Sequence, residues 1–354
     1  MPVIDRYGAR YGIATLVPLT LLMLGATLWG GYAVMALVWL TLVAGLMDQL
    51  LVQPTGSTGA QIRWPDRLSV LLALGHLAVV PLVLVALSGT GMGLGHKIAL
   101  FAATASFIGQ VSHPNAHELI HRKGRLRAGL GALVYVTMGF GHHVSAHRLV
   151  HHRHVATPDD PNTPRGGESF WRYLPRAWAG SFRAGLAAEA ARVKRGAARL
   201  NPYWVWTGGA AITALLATAL AGPAGLACLL GLWVLAGMQI LLSDYIQHYG
   251  LRRLPLPSGR REPVGPHHSW NAPRGFSSYL MMNAPSHSEH HLHPDRSYEQ
   301  LAVDTDAPTL PWSLPVMAML ATIPPVWRRV MDRRAARVMA AAEARIAAAD
   351  RAAA

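Results

Sequence analysis

The chain alternates long uncharged segments with arginine-rich ones. Four of the long segments without Asp, Glu, Lys or Arg lie at residues 11–47, 68–96, 98–117 and 200–243. Roughly 17–25 apolar residues cross a bilayer as a helix, so the first and last segments are each long enough for two crossings. A helix of a soluble core would keep a polar stripe along one side, and these segments have none. The pattern predicts an all-α integral membrane protein with six transmembrane helices.

Basic residues lie almost entirely on one side of this predicted membrane. The loops on the other side, at 30–32, 88–97 and 221–225, contain only Lys97. The opposite side holds fourteen Lys and Arg between residues 114 and 204, together with Arg6, Arg10, Arg63 and Arg67. It also holds the whole chain after residue 244. Because basic loops stay preferentially in the cytoplasm, we expect an inner-membrane protein whose basic side is cytoplasmic.

This topology divides the chain into five segments. The uncharged run at 128–147 is interpreted as a re-entrant or protein-buried helix, because a seventh crossing would separate the histidines on either side of it. The segments are transmembrane helices one to four (1–113), a cytoplasmic histidine region with the re-entrant helix (114–204), helices five and six (205–243), a second cytoplasmic histidine region (244–310), and a short apolar piece with a basic surface helix (311–354).

Composition excludes several classes of protein. The topology explains the formal net charge of +14, and no basic-aromatic module points to nucleic acid. The basic face also suits acidic lipids or an acidic protein partner. The single cysteine, Cys228, excludes disulfides and cysteine-ligated zinc or iron–sulfur sites. No cleavable signal peptide is expected, since the first apolar run continues into a second crossing.

Histidines are concentrated in the two predicted cytoplasmic regions. Of eighteen, only His76 and His96 precede residue 113. The spacing is that of metal ligands, because residues three or four apart share one face of a helix. Such spacing occurs in HELIH (117–121), HRLVHH (147–152) and HSEHH (287–291), and one more histidine ends DYIQH (244–248). The predicted ligands are His117, His121, His147, His151, His152, His248, His287, His290 and His291.

Nine imidazoles indicate two metal ions rather than one. A structural zinc is satisfied by four ligands, and imidazole alone does not select among Fe, Zn, Cu and Ni. Supporting carboxylates that accept the free ring N–H of a ligand are also expected, and the candidates are Glu118, Asp159, Asp160, Asp244 and Glu289. His142, His143, His154 and His293 are assigned mainly to this outer layer, and His76, His96 and His113 to ordinary structural roles.

Two other motifs suggest different functions. HELIH also matches the zinc-protease signature, in which Glu118 would be the general base, but that reading leaves seven of the nine histidines unexplained. The glycine run GTGMGLG at 89–95 lies on the predicted outer side after a membrane helix, and we do not interpret it as a nucleotide site.

The histidine motifs resemble those of the membrane-bound alkane monooxygenases and related xylene monooxygenases, within the membrane desaturase/hydroxylase group. The resemblance covers about residues 100–301. Desaturases share the HxxxH and HxxHH patterns but lack HYGL and HSWN. The matching segments are NAHELIHR (115–122), HRLVHHRHVATPDDP (147–161), DYIQHYGLRR (244–253), HHSWN (267–271) and HSEHHLHPDRSYEQL (287–301).

The chain departs from the common family pattern at several positions beside the ligands. Ala146 replaces a glutamate and Val150 a glycine, while Pro285-Ser286 replaces Gln-Arg. The motif that is commonly Asn-Tyr-x-Glu-His is DYIQH here, at 244–248. None of these changes removes a predicted ligand, so they bear on substrate range and on the surroundings of the metals.

The resemblance implies a non-haem centre of two Fe ions that hydroxylates the terminal methyl of an n-alkane with O2, giving a 1-alkanol. It also implies an outer role for His268 of HSWN. No flavin, nicotinamide or iron–sulfur motif occurs, so electrons must come from a partner, by resemblance a rubredoxin with its reductase. An apolar substrate should enter an apolar tunnel from the bilayer. Three alternatives use the same site: hydroxylation of a xylene-type methyl, hydroxylation of a terpene, and fatty-acid desaturation.

Overall fold

The computed structural model describes residues 6–51, 65–256, 258–273, 275–302 and 307–353. These residues form helices and connecting loops without a strand, and the only β-type pairings among them are isolated bridges at Pro255–Arg261 and Asn271–Thr309. The predicted all-α class is therefore confirmed. Arg63 and the other residues of 52–64 lie outside the described residues.

The described residues of the N-terminal half form nine helices. They are α1 (Arg6–Thr27), α2 (Tyr32–Val38), α3 (Ala44–Leu50), α4 (Pro65–Ser88), α5 (Leu94–Phe107), α6 (His113–His121), α7 (Arg125–Thr137), α8 (His143–Ala146) and α9 (His152–His154). Three π-helical turns join successive helices without a break: Trp39–Val43 between α2 and α3, Ile108–Ser112 between α5 and α6, and His147–His151 between α8 and α9. A π turn inserts one residue into a helix and is frequent at functional sites.

In the C-terminal half, the part of the chain that the structure describes forms six helices and two short 3-10 turns. The helices are α10 (Phe170–Lys194), α11 (Tyr203–His248), α12 (Phe276–Leu280), α13 (His287–Leu292), α14 (Leu314–Ala321) and α15 (Pro324–Ala353), and the 3-10 turns are Pro266–His268 and Tyr298–Gln300.

Four of the described helical segments are long and apolar enough to cross a bilayer: Gly8–Thr27, Tyr32–Leu50, Pro65–Ser88 and Tyr203–His248. Many of their large apolar side chains point away from the protein. Leu42 is 70% exposed and Leu215 is 69% exposed. Exposure of such a large apolar surface is unfavourable in water but not in the hydrocarbon core of a bilayer. These helices, together with their apolar outer surface, indicate an integral membrane protein.

Helix α11 is long enough to cross twice. Its 46 residues would measure about 69 Å if straight, against a hydrocarbon core of roughly 30 Å. The helix is broken at Gly222, whose φ of 63° and ψ of −167° are non-helical and essentially restricted to glycine. This break falls in the loop that the sequence pattern predicts between the fifth and sixth crossings.

Helix α7 covers the first ten residues of the uncharged run at 128–147. Its 13 residues span about 20 Å, less than the thickness of a bilayer core. The chain then turns through Gly139, which has a positive φ of 67°, and returns as α8. Helix α7 packs against α6 and α4, so both ends of this run lie beside the histidine motifs.

Candidate metal centre

Five histidines from α6, the π turn His147–His151, α9 and α13 converge in one group. The candidate ligand atoms of this five-histidine cluster, formed by His117, His121, His147, His152 and His290, lie within 4.8 Å of one another. The Nε2 of His147 lies 2.8 Å from that of His117 and 2.9 Å from that of His152. The Nε2 atoms of His152 and His290 are 3.2 Å apart.

The other four predicted ligands form a second, deeper group. The candidate ligand atoms of this four-histidine cluster, formed by His151, His248, His287 and His291, also lie within 4.8 Å of one another, and all four residues are buried. The Nε2 of His287 lies 3.0 Å from that of His248 and 3.1 Å from that of His291. The five-histidine cluster is more open, because His117, His121 and His152 are only partly buried.

The spacing of these nitrogens fits a shared cation. Two imidazole nitrogens about 2.1 Å from one metal ion and at a right angle to each other lie about 3 Å apart, which is the separation observed in both clusters. Without a cation, several ring nitrogens with lone pairs would face one another in a buried space. The clusters could therefore each hold a metal ion.

Unpartnered nitrogens support the same conclusion. Among the described residues, the Nε2 atoms of His121 and His151 are buried and have no hydrogen-bond partner, a state that normally costs free energy. Burial, reinforced by neighbouring imidazoles, lowers the pKa of His152, His290 and His291 well below the ordinary value. These rings are therefore neutral near pH 7, which is the form that binds metal.

Adjacent histidines connect the two clusters. His151 and His152 are neighbours in sequence but belong to different clusters, as do His290 and His291. Successive side chains of a helix point in different directions, so each pair reaches two sites at once. The rings of His152 and His291 lie 4.6 Å apart between centroids, and the two clusters therefore lie side by side.

The π turn decides how the HRLVHH motif is divided. The sequence spacing predicts His147 and His151 on one face of a helix, and their rings do stack 5.2 Å apart. Their Nε2 atoms nevertheless belong to different clusters, because the π turn His147–His151 brings residues five apart into line. His147 therefore joins His152 in the five-histidine cluster.

Asp160 supports the four-histidine cluster directly. Its Oδ2 accepts a hydrogen bond from Nδ1 of His151 at 2.8 Å and another from the hydroxyl of Thr163 at 2.7 Å. This contact puts the proton of His151 on Nδ1 and leaves its Nε2 free for a metal. Burial opposes ionisation, but pairing with His151 holds the pKa of Asp160 below its usual value.

The HHSWN segment connects the two chain segments that carry the remaining ligands of this cluster. His248 at the end of α11 donates from Nδ1 to the carbonyl oxygen of His268 at 3.1 Å, which leaves its Nε2 free for the cluster. Asn271 accepts hydrogen bonds at Oδ1 from the backbone and hydroxyl of Ser288, at the start of α13. The segment thus fixes His248 and the HSEHH helix relative to each other.

Glu262 holds the ring of His268. Its Oε1 lies 3.0 Å from Nε2 of His268, and its Oε2 lies 3.1 Å from Nε2 of His267. These three residues could also suggest a third metal site. However, Nδ1 of His268 accepts a hydrogen bond from the backbone of Gly265 at 2.8 Å, so its proton lies on Nε2 and points at Glu262. The trio is thus a hydrogen-bonded support.

The other predicted carboxylates contact residues that are not predicted ligands. Glu118 pairs with Arg122 and accepts a hydrogen bond from the backbone of Tyr298 at 3.2 Å. Glu289 pairs with Arg296. Asp159 is exposed, while Asp244 is buried and accepts from the side chain of Asn162 at 2.7 Å. Of the five candidates, only Asp160 has a described hydrogen bond to a predicted ligand.

The remaining histidines differ in their surroundings. His143 stacks on His147 at 4.9 Å between ring centroids. His142 lies between Phe140 and Phe182. Deeper in the protein, His113 bonds through Nδ1 to the hydroxyl of Tyr135 at 2.9 Å, and His76 bonds to Ser112 and Thr137. His154 and His293 have no described contact with a predicted ligand.

Several supporting residues are not predicted from the sequence. Glu262, Asn162 and Thr163 lie in loops without helical or strand periodicity, so nothing in their spacing indicates what they contact. The Asp-Pro-Asn-Thr run at 160–163 is a typical turn sequence, but it does not reveal that Asn162 connects to Asp244. Asn271 lies in a motif that the sequence does identify, without a role.

The chain is similar to known proteins over the region that contains these histidines. The family model "Fatty acid desaturase" matches residues 95–318, which include all nine clustered histidines. Alkane 1-monooxygenase 1 of Alcanivorax borkumensis is 32% identical over 88% of this chain and 78% of its own length. Alkane 1-monooxygenase 2 of Pseudomonas aeruginosa is 33% identical over 72% of this chain and 71% of its own.

A relative with another substrate in its name is also similar. The xylene/toluene monooxygenase hydroxylase component of Pseudomonas putida is 31% identical over 60% of this chain and 58% of its own length.

Replacing Asp160 should weaken metal binding, whereas replacing its neighbour should not. We expect Asp160→Asn to lower the affinity of one of two bound metal ions by roughly 10–100-fold, since the proton on His151 Nδ1 loses its anionic acceptor. Asp159→Asn is the matched control, because that side chain is exposed. Metal retained against increasing concentrations of a chelator is measured for both. Equal retention by the two variants would contradict the assigned role of Asp160.

Proposed function

The chain belongs to the fatty acid desaturase family, and from that membership and the two histidine clusters we propose that it is a diiron alkane 1-monooxygenase. The substrate is an n-alkane, O2 is the oxidant, and the product is a 1-alkanol. The observation that carries this proposal is the convergence of nine imidazoles into two adjacent groups with Nε2 separations of 2.8–3.2 Å. An all-histidine ligand set of this size suits two redox-active ions better than one zinc.

The protein holds and orients the ligands of this centre. When bound, two iron ions would supply the redox chemistry that divides dioxygen between the alcohol and water, using two electrons and two protons. Asp160 and the carbonyl of His268 each fix the tautomer of one ligand. Burial of the four-histidine cluster excludes bulk water. The more open five-histidine cluster is the side from which substrate and O2 approach.

The zinc-protease alternative has little support from the geometry. A general base at Glu118 would have to face a water held by His117 and His121. Its carboxylate instead pairs with Arg122 and accepts from the backbone of Tyr298. The xylene-type alternative keeps the same metal centre, and similarity to the xylene/toluene enzyme component favours it as the second candidate.

An acidic electron-transfer protein, by family resemblance a rubredoxin fed by its reductase, is the proposed partner. A cleft of about 520 Å³ lies beside Asp160 and is lined by five arginines: Arg165, Arg176, Arg252, Arg253 and Arg261. The cleft is a basic surface that complements an acidic protein. From Asp160 on its lining, one hydrogen bond leads to His151, which gives a short route for electrons into the four-histidine cluster.

We further propose six membrane crossings, with both histidine regions on the cytoplasmic side of the inner membrane. Helices α1, α2–α3 and α4 supply three crossings, and α5 with α6 supplies a fourth. The two halves of α11 on either side of Gly222 supply the fifth and sixth. The asymmetry of Lys and Arg supports this orientation.

Product analysis tests the function. The iron-loaded protein, given a mid-chain n-alkane, reduced rubredoxin and isotopically labelled O2, should form a 1-alkanol that carries the label. A xylene converted to its benzylic alcohol, with the alkane untouched, would instead support the aromatic alternative.

Rising salt concentration should reduce this turnover while the iron stays bound, because docking of the electron-transfer protein on the basic cleft is electrostatic. Turnover indifferent to salt would contradict the docking proposal.

Cysteine labelling tests the orientation. In a chain with Cys228 replaced by alanine, Thr90→Cys should react with a membrane-impermeant maleimide in intact spheroplasts. Arg199→Cys should react only after the membrane is permeabilised. Both positions are exposed, so access to the reagent depends on the side of the membrane. The reverse order of labelling would overturn the proposed orientation.

A further inference from the structure

A cavity lies beside the π turn Ile108–Ser112, between α2–α3, α11 and α14. Its volume is about 330 Å³, within the usual range for small-ligand sites. Apolar side chains dominate its wall. Two of them, Leu42 and Met319, are 70% and 64% exposed on the outer surface of the protein. The cavity therefore reaches the surface that faces the bilayer, where an apolar compound would accumulate.

The inner end of this cavity approaches the five-histidine cluster. His113 lines the cavity, and its ring centroid lies 6.2 Å from that of His117. Gln110 lines the same cavity and lies seven residues before His117, about 10 Å along the helix axis. A substrate chain that extends from the cluster into the cavity would thus pass His113 first and reach Gln110 farther from the cluster.

Two polar atoms in the cavity wall have no described partner. The hydroxyl of Ser313, a residue only 5% exposed, and the amide oxygen of Gln110 are both buried and unpaired among the described residues. Other polar side chains of this wall are paired: the hydroxyl of Thr41 donates to the carbonyl of Leu37, and the amide of Gln239 donates to the carbonyls of Ala105 and Leu235. A saturated hydrocarbon would leave Ser313 and Gln110 unpaired at a cost in free energy.

The pair Gln110 and Ser313 matches a hydroxyl group in particular. The amide oxygen of Gln110 can only accept a hydrogen bond, whereas the hydroxyl of Ser313 can donate one. An alcohol can donate to the first and accept from the second. An ether or ester can accept from Ser313 but offers Gln110 no donor.

We propose that this cavity is a selectivity site for long-chain alkanols, whose hydroxyl binds between Gln110 and Ser313 while the opposite, methyl end reaches the metal centre. The inference rests on the proposed monooxygenase function and extends it to a further reaction, from an alkanol to an α,ω-diol. The terminal C–H bond breaks and a C–O bond forms there. One oxygen atom of O2 enters the diol, and the other leaves as water with two protons and two electrons from the reduced electron-transfer partner.

The test compares 1-decanol with n-undecane, in which a methyl replaces the hydroxyl. The protein should convert 1-decanol to 1,10-decanediol, with kcat/KM about tenfold above that for undecane, since the preference arises from buried hydrogen bonds. Ser313→Ala and Gln110→Met should each lower this ratio by roughly three- to tenfold. Thr41→Val is the matched control and should leave the ratio unchanged, because its hydroxyl is already bonded to Leu37. The ratio within one preparation does not depend on its iron content.

Two results would overturn the inference while the proposed function stood. One is undecane turnover with no preference for the alcohol, or with a preference that neither substitution changes, as expected if water alone occupies the cavity. The other is oxidation of decanol at its hydroxyl-bearing carbon. Binding of radiolabelled decanol and undecane to the protein in nanodiscs repeats the comparison without turnover. Loss of turnover with both substrates but retained selectivity in binding would therefore count against the proposed function and in favour of this site.

Discussion

The mutual approach of nine imidazoles is the interaction on which the rest of the structure depends. Ring nitrogens at 2.8–3.2 Å from one another have the spacing of ligands that share one cation. Burial lowers the pKa of rings such as those of His152, His290 and His291, so the same surroundings keep these rings in the neutral form that binds metal. Two surrounding hydrogen bonds, from His151 to Asp160 and from His248 to the carbonyl of His268, leave the Nε2 lone pairs of His151 and His248 free to point into the cluster.

Helix irregularities bring these ligands together from distant parts of the chain. The π turn His147–His151 divides one motif between two clusters, and the π turn Ile108–Ser112 immediately precedes α6, which carries His117 and His121. The HHSWN segment then connects the end of a membrane helix to α13. An apolar helical bundle thus holds a polar centre at one end, and the cavity beside α14 leads from the outer surface toward it.

Much of this arrangement could be predicted from the sequence, and the limits have physical causes. Uncharged runs and their breaks predict the all-α membrane class, because hydrophobic length is a local property of the sequence. The break at Gly222 falls in the loop that the sequence predicts between the fifth and sixth crossings. Histidine spacing selects the nine residues that the structure brings together, although their role as ligands stays a prediction. It does not predict their partition, because a π turn has no clear sequence signal. Nor does it separate Asp160 from Asp159 or find Glu262, since loop contacts depend on the whole fold.

Metal analysis of the purified protein tests the central claim most directly. If both clusters bind redox-active iron, the protein should contain two iron ions per chain, and X-ray absorption should show nitrogen ligands about 2.1 Å from the metal without a sulfur shell. A single zinc ion per chain, with the second cluster empty after anaerobic loading with ferrous iron, would contradict the account.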